Sequence, residues 1–160
     1  MRSKILTDSA KAASSSYVST NRFDSDARIA LDLLATRPLR ADAERRPVEF
    51  QPPRNYLCYL RHDSFVFLSG YTSAAETLEA QVSEIIKAVA GGLMVAGSIW
   101  DKLVKVSPFL HRNQKLATLK ELLGRGPALP ANCQVEFGFV DGYAGDKSLI
   151  EIEATALAGG

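Results

Sequence analysis

A chain of 160 residues, 46% hydrophobic and 23% charged, holds enough apolar material for one folded core and an appendage. Its 19 basic and 18 acidic residues are interspersed and leave a net charge of +1, which excludes the basic stripe that nucleic acid or an anionic membrane surface requires. Met1–Ser16 has no apolar run, and the most apolar region, Ile85–Trp100, is broken by Lys87 and Gly91–Gly92, so neither a leader peptide nor a membrane span is expected. Cys58 and Cys133 do not make a disulfide framework, and a cytoplasmic setting is expected.

Residues 1–22, rich in Ser, Ala and Thr, read as a loose tail. Asp24–Ala35 reads as a short helix, with acidic residues at its start and Ile29, Leu31, Leu33 and Leu34 behind them. Arg37–Arg54 carries Pro38, Pro47, Pro52 and Pro53 and reads as an extended linker. The chain therefore divides into an N-terminal extension, 1–54, and a compact domain, 55–160.

Within the domain, Leu57–Arg61 and Ser64–Ser69 read as strands joined at His62–Asp63, with Gly70 ending the second. Ser73-Ala74-Ala75-Glu76 has the form of a capping box. Behind it Leu78, Val82, Ile85, Ile86, Val89 and Leu93 recur at helical spacing. Gly91 and Gly92 cost about 1 kcal/mol each inside a helix, which suggests close approach to a sheet, and Gly97 is a natural stop. Leu103–Leu110 reads as a strand in which Pro108 implies an edge or a bulge. Asn113 can cap a second helix carrying Leu116, Leu119, Leu122 and Leu123. Gln134–Val140 and Leu149–Leu157 read as the last strands, joined by the glycine-containing turn Asp141–Asp146. Ile150 and Ile152 lie on one face of the final strand, Glu151 and Glu153 on the other. The order β-β-α-β-α-β-β predicts an α+β fold, a mixed sheet with two helices packed on one face.

Phosphate-loop, dinucleotide, zinc-protease and nucleophile-elbow motifs are absent, and no metal or cofactor is expected. His62 and His111 have no carboxylate or cysteine at ligand spacing and read as loop or surface residues. An isolated Cys133 reads first as a small hydrophobe.

From Tyr56 onward the chain resembles the YjgF/RidA family of reactive-intermediate deaminases. The resemblance is carried by FVFLSG (Phe65–Gly70), LEAQVSEIIKAV (Leu78–Val89), DKLVKVSPFL (Asp101–Leu110), PANCQVEF (Pro130–Phe137) and IEIEATA (Ile150–Ala156). It implies a chorismate-mutase-like fold, a homotrimer with its sheets around a central axis, and ligand clefts between neighbouring subunits. Residue by residue, Tyr56 matches the family's cleft tyrosine, Ser69 a serine lining the site, and Glu151 the glutamate that positions the hydrolytic water. The chain departs elsewhere. The arginine that grips a substrate carboxylate is replaced by Asn132, the cysteine that follows two residues later in many members by Gln134 with Cys133 shifted by one, and the second-helix asparagine by Lys120. The Leu122–Leu129 connection is shorter than the family's and the Asp141–Asp146 turn longer.

A substrate carboxylate buried against Asn132 alone would lack its charge-assisted partner. Lys120, Arg61 or a neighbour's base then supplies the charge, or the ligand is a neutral polar group that Asn132 and Gln134 can bind. The resemblance implies a hydrolase or deaminase of a small enamine, imine or related C=N metabolite. Glu151 and Tyr56 would be catalytic; Ser69, Lys120, Asn132, Cys133 and Gln134 would bind substrate. The alternatives are a catabolic or biosynthetic hydrolase or lyase of other chemistry on the same scaffold, and a non-catalytic small-ligand-binding trimer. Neither nucleic acid nor membrane is an expected partner.

Overall fold

Alternation along the last strand and a helical repeat through Leu78, Val82, Ile85, Val89 and Leu93 set the layering of the molecule. The computed structural model describes residues 18–20, 42, 45–49, 57–143 and 147–159; the expected helix at Asp24–Ala35 and Tyr56 lie outside them. Strand β1 is Val18–Ser19, β2 Arg45–Glu49, β3 Leu57–His62 and β4 Phe65–Thr72. Helix α1 (Leu78–Val95) leads to β5 (Leu103–His111), and helix α2 (Leu116–Gly124) to β6 (Gln134–Val135), β7 (Gly138–Val140), β8 (Gly142–Tyr143) and β9 (Ile150–Leu157).

The main sheet runs β2-β3-β4-β9-β5-β6, with β7 also on β5, and β1 and β8 pair separately. β6 and β7 run parallel to β5 and the remaining pairs are antiparallel, so the sheet is mixed, as expected. One sheet face is the core. Tyr59, Val66, Leu68, Val106, Leu110, Ile150, Ile152, Ala154 and Ala156 pack there against Val82, Ile85, Val89 and Leu93 of α1 and Leu119 of α2. Removing a buried leucine or isoleucine side chain from such a layer costs about 2–5 kcal/mol.

Several local expectations are corrected. Thr77, not Ser73, caps α1: its side chain accepts from the Ala80 N–H at 3.2 Å. Ser73 instead accepts from the Ala75 N–H at 3.0 Å and donates to Glu84 Oε2 at 2.5 Å, because Glu76 and Thr77 still belong to the bend before the helix. Lys115 rather than Asn113 precedes α2, without a side-chain cap. The β3–β4 turn is Asp63–Ser64, with Asp63 at φ 53°. β4 runs past Gly70 to Thr72 because a bulge absorbs the irregularity between Leu68 and Tyr71. Only Gly92 is pressed on the sheet, against the Tyr71 hydroxyl; Gly91 faces open space. Gly97 does end α1, at φ +76°, with Ser98 and Gly97 N–H groups donating to the Leu93 and Met94 carbonyls.

Pro108 is neither on a sheet edge nor in a bulge. β5 is interior, and Pro108 falls where its parallel neighbour is interrupted between Val135 and Gly138. That interruption splits the expected Gln134–Val140 strand in two.

Candidate active site

Register places Glu151 in the middle of the sheet, opposite Thr72 of β4 on one side and Phe109 of β5 on the other. Alternation turns it away from the helices, yet it is only 4% exposed. Glu151 therefore does not lie on a solvated strand face. A carboxylate is expensive to bury, so its cover and its anchoring matter.

Tyr143, which sequence reasoning does not reach, stands close enough for the Glu151 charge to act on it. Its hydroxyl donates at 2.8 Å to the carbonyl of Phe109, the residue opposite Glu151. Burial first, and the Glu151 charge second, push the Tyr143 phenol well above the ordinary tyrosine range, so the ring stays neutral. The His111 ring lies 6.3 Å from it, centroid to centroid. Next along, Arg112 Nε sits 3.1 Å from Asp141 Oδ1, and its terminal nitrogen donates to the Phe139 carbonyl at 3.3 Å and Thr20 Oγ1 at 3.4 Å. The one sequence signal for this group is the lengthened Asp141–Asp146 turn.

The anchoring comes from Gln81, a fully buried side chain on α1. Its Nε2 donates to the Ala75 carbonyl at 2.7 Å and the Lys147 carbonyl at 2.9 Å, and its Oε1 accepts from the Leu149 N–H at 2.8 Å. Gln81 thus fixes the entry into β9 two residues before Glu151.

The other named residues are distributed over the sheet. Ser69 is buried in the β4 bulge: Leu68 pairs with Ala154 and Tyr71 with Ile152, so Ser69 and Gly70 together oppose Glu153. Asn132 is exposed in the turn before β6, and Gln134 is exposed and pairs with Lys105, itself opposite Thr155. Cys133 is half-buried between them, and burial pushes its thiol up, away from the thiolate a nucleophile needs. Exposed Lys120 stands 5.5 Å over the Phe137 ring. Within one chain, Asn132, Cys133 and Gln134 therefore sit on the β6 edge and are not brought to Glu151 in the sheet centre.

No group of three His, Cys, Asp or Glu side chains among the described residues is placed to hold a metal. A cavity of about 30 Å³ lined by Ile86, Val89, Trp100, Leu123, Val135 and Ile152 lies on the helix side, behind the face that bears Glu151.

The structure is similar to that of Rv2704 of Mycobacterium tuberculosis, a member of the YjgF/YER057c/UK114 family. The TM-score is 0.63 at 18% identity, with 72% of this chain and 100% of that one covered. The fold is that of the YjgF/Rid proteins. TdcF of E. coli, solved with bound serine, matches with TM-score 0.59 at 19% identity over 71% of this chain and 93% of its own. RidA of an Antarctic Psychrobacter matches with TM-score 0.56 at 18% identity over 64% and 87%. No protein-family model and no curated protein sequence matches the chain. Two helices on a mixed sheet agree with the chorismate-mutase-like YjgF architecture expected from the motifs. Among the described residues no helix is long and apolar enough to cross a membrane.

Proposed function

We propose that this chain is a divergent YjgF/Rid protein that hydrolyses a small enamine, imine or related C=N metabolite, as a cytoplasmic homotrimer with its clefts between subunits. The observation that carries the reading is the buried Glu151 in the middle of the sheet, at the position matching the family's water-positioning glutamate. A carboxylate shielded this way is suited to take a proton from water as the water attacks the C=N carbon. The nitrogen then leaves as ammonia when the resulting carbinolamine collapses to the carbonyl.

Two observations support assembly. The helix-free sheet face carries Phe65, 38% exposed, stacked on Phe67 at 6.0 Å between centroids, an apolar surface suited to a second copy. Asn132, Cys133 and Gln134 lie on an edge of the same sheet, away from Glu151, as expected if they complete a neighbour's cleft. Ser69 would line the site beside Glu153, Lys120 would offer the missing positive charge, and Tyr56 would orient the leaving nitrogen. Residues 1–54 form an extension, which lends β2 as an edge strand to the sheet, and 55–160 the Rid-like domain in this reading.

Asn132 in place of the arginine favours one second reading, a ligand-binding trimer without chemistry. Ammonia release from freshly generated imines and enamines, some bearing a carboxylate and some neutral, separates the two. Release above the spontaneous rate supports the hydrolase, and the preferred series reports whether a carboxylate is bound. Background rates with every compound would overturn it in favour of binding. Light scattering tests the trimer: a mass of one or two chains would contradict it.

A further inference from the structure

The β1–β8 pair joins the N-terminal part of the chain to the neighbourhood of Glu151. Val18 pairs with Tyr143 and Ser19 with Gly142, and the Asp141 N–H donates to the Ser19 carbonyl at 2.6 Å. Arg112 adds a tie, reaching Asp141, the Phe139 carbonyl and Thr20 together. Close approach is built into the sequence, since a Cβ on Gly142 would stand 2.7 Å from Ser19 Oγ. The strand held this way presents Tyr143, whose hydroxyl ends on the Phe109 carbonyl opposite Glu151.

We propose that β1 is a clamp: by pairing with β8 it fixes Tyr143 as a positioning residue for Glu151, so that the N-terminal part of the chain completes the site. This rests on the reading of Glu151 as the base. The neutral phenol screens the carboxylate from bulk water while its own proton is committed to a backbone carbonyl. It therefore neither competes as a base nor neutralises Glu151, and it narrows the directions from which a water can approach the carboxylate. Among the described residues, the titratable and charged groups set around Tyr143 are Glu151 of β9, His111 of β5 and the Arg112–Asp141 pair.

The decisive test needs no substrate. The full-length chain is labelled with ¹³C at the hydroxyl-bearing carbon of tyrosine and followed by NMR through the ordinary phenol range, about pH 9 to 11. Tyr143→Phe identifies the resonance. In the wild type Tyr143 stays protonated throughout. Gly142→Val, whose side chain meets Ser19 while Tyr143 is kept, brings its ionisation down into that range, and Glu151→Gln lowers it by removing the adjacent charge. Circular dichroism checks folding; the double variant Val18→Gly with Ser19→Gly loosens the same strand should the valine prevent it. A Tyr143 that titrates normally in the wild type, or stays unmoved in both clamp variants, would overturn the clamp.

Ammonia release from the imine freshly generated from alanine by an amino-acid oxidase links the clamp to catalysis. Gly142→Val should lower kcat about tenfold or more with a smaller change in KM, as a misplaced catalytic group does. An unchanged kcat in a variant whose Tyr143 has been released would overturn the positioning role. A displaced Tyr143 titration together with no ammonia release by any chain would leave the clamp standing as structure, while overturning the hydrolase reading and with it Tyr143's catalytic role.

Discussion

Gln81→Met keeps the length and approximate volume of a fully buried side chain while deleting its polar head. It removes partners from the Ala75 carbonyl, the Lys147 carbonyl and the Leu149 N–H, all held at 2.7–2.9 Å by the amide. An unsatisfied buried N–H costs about 1–3 kcal/mol, and carbonyls with a second lone pair less, so the substitution should destabilise by about 2–4 kcal/mol. For a chain of this length that lowers Tm by roughly 6–12 °C. Thermal unfolding by circular dichroism, with a urea midpoint as a second probe, measures it. Gln81→Glu is the companion: its carboxylate can accept from Leu149 but cannot donate to the two carbonyls, so it should rescue little. A Tm change below about 2 °C for Gln81→Met would refute the view that this amide holds the entry to β9.

Gly92→Ala should destabilise by about 1–3 kcal/mol because its Cβ meets the Tyr71 hydroxyl, whereas Gly91→Ala, facing open space, should be neutral or stabilise by up to about 1 kcal/mol; chemical denaturation compares the two. Alkaline stability should depend on Tyr143. The unfolded phenol ionises near pH 10 and the folded one higher, so above that value the unfolded chain has lost a proton the folded chain keeps, and stability falls as pH rises. Tyr143→Phe should flatten that decline in pH-dependent melting curves. Asn132→Arg should lower KM for carboxylate-bearing imines by about tenfold or more, leaving neutral ones unchanged, if the lost arginine defines the substrate class.

The architecture was legible because its strongest signals are periodic. The α1 repeat and the alternation of Ile150, Glu151 and Ile152 fix which faces meet, and both are found in the structure. Capping was less legible: Ser73 and Thr77 both have the right chemistry, and only the position of the bend selects Thr77. Pro108 misleads because its tolerance depends on a gap in a neighbouring strand far away in sequence. The same holds at the site. Glu151 could be picked out by its place in IEIEATA, but neither its burial nor the approach of Tyr143, whose strand pairs with Val18–Ser19 across more than a hundred residues, is marked locally. Gln81 falls among the apolar residues of α1, and nothing local in the sequence marks its partners at Lys147 and Leu149.

Whether Glu151 carries a hydrolytic reaction is decided by comparing wild type and Glu151→Gln for ammonia release from the same freshly generated imines, with both proteins shown to melt alike. The expected result is release by the wild type and a loss of about 10²–10⁴-fold in the variant, the usual contribution of a positioned base. Equal rates for the two proteins would contradict it.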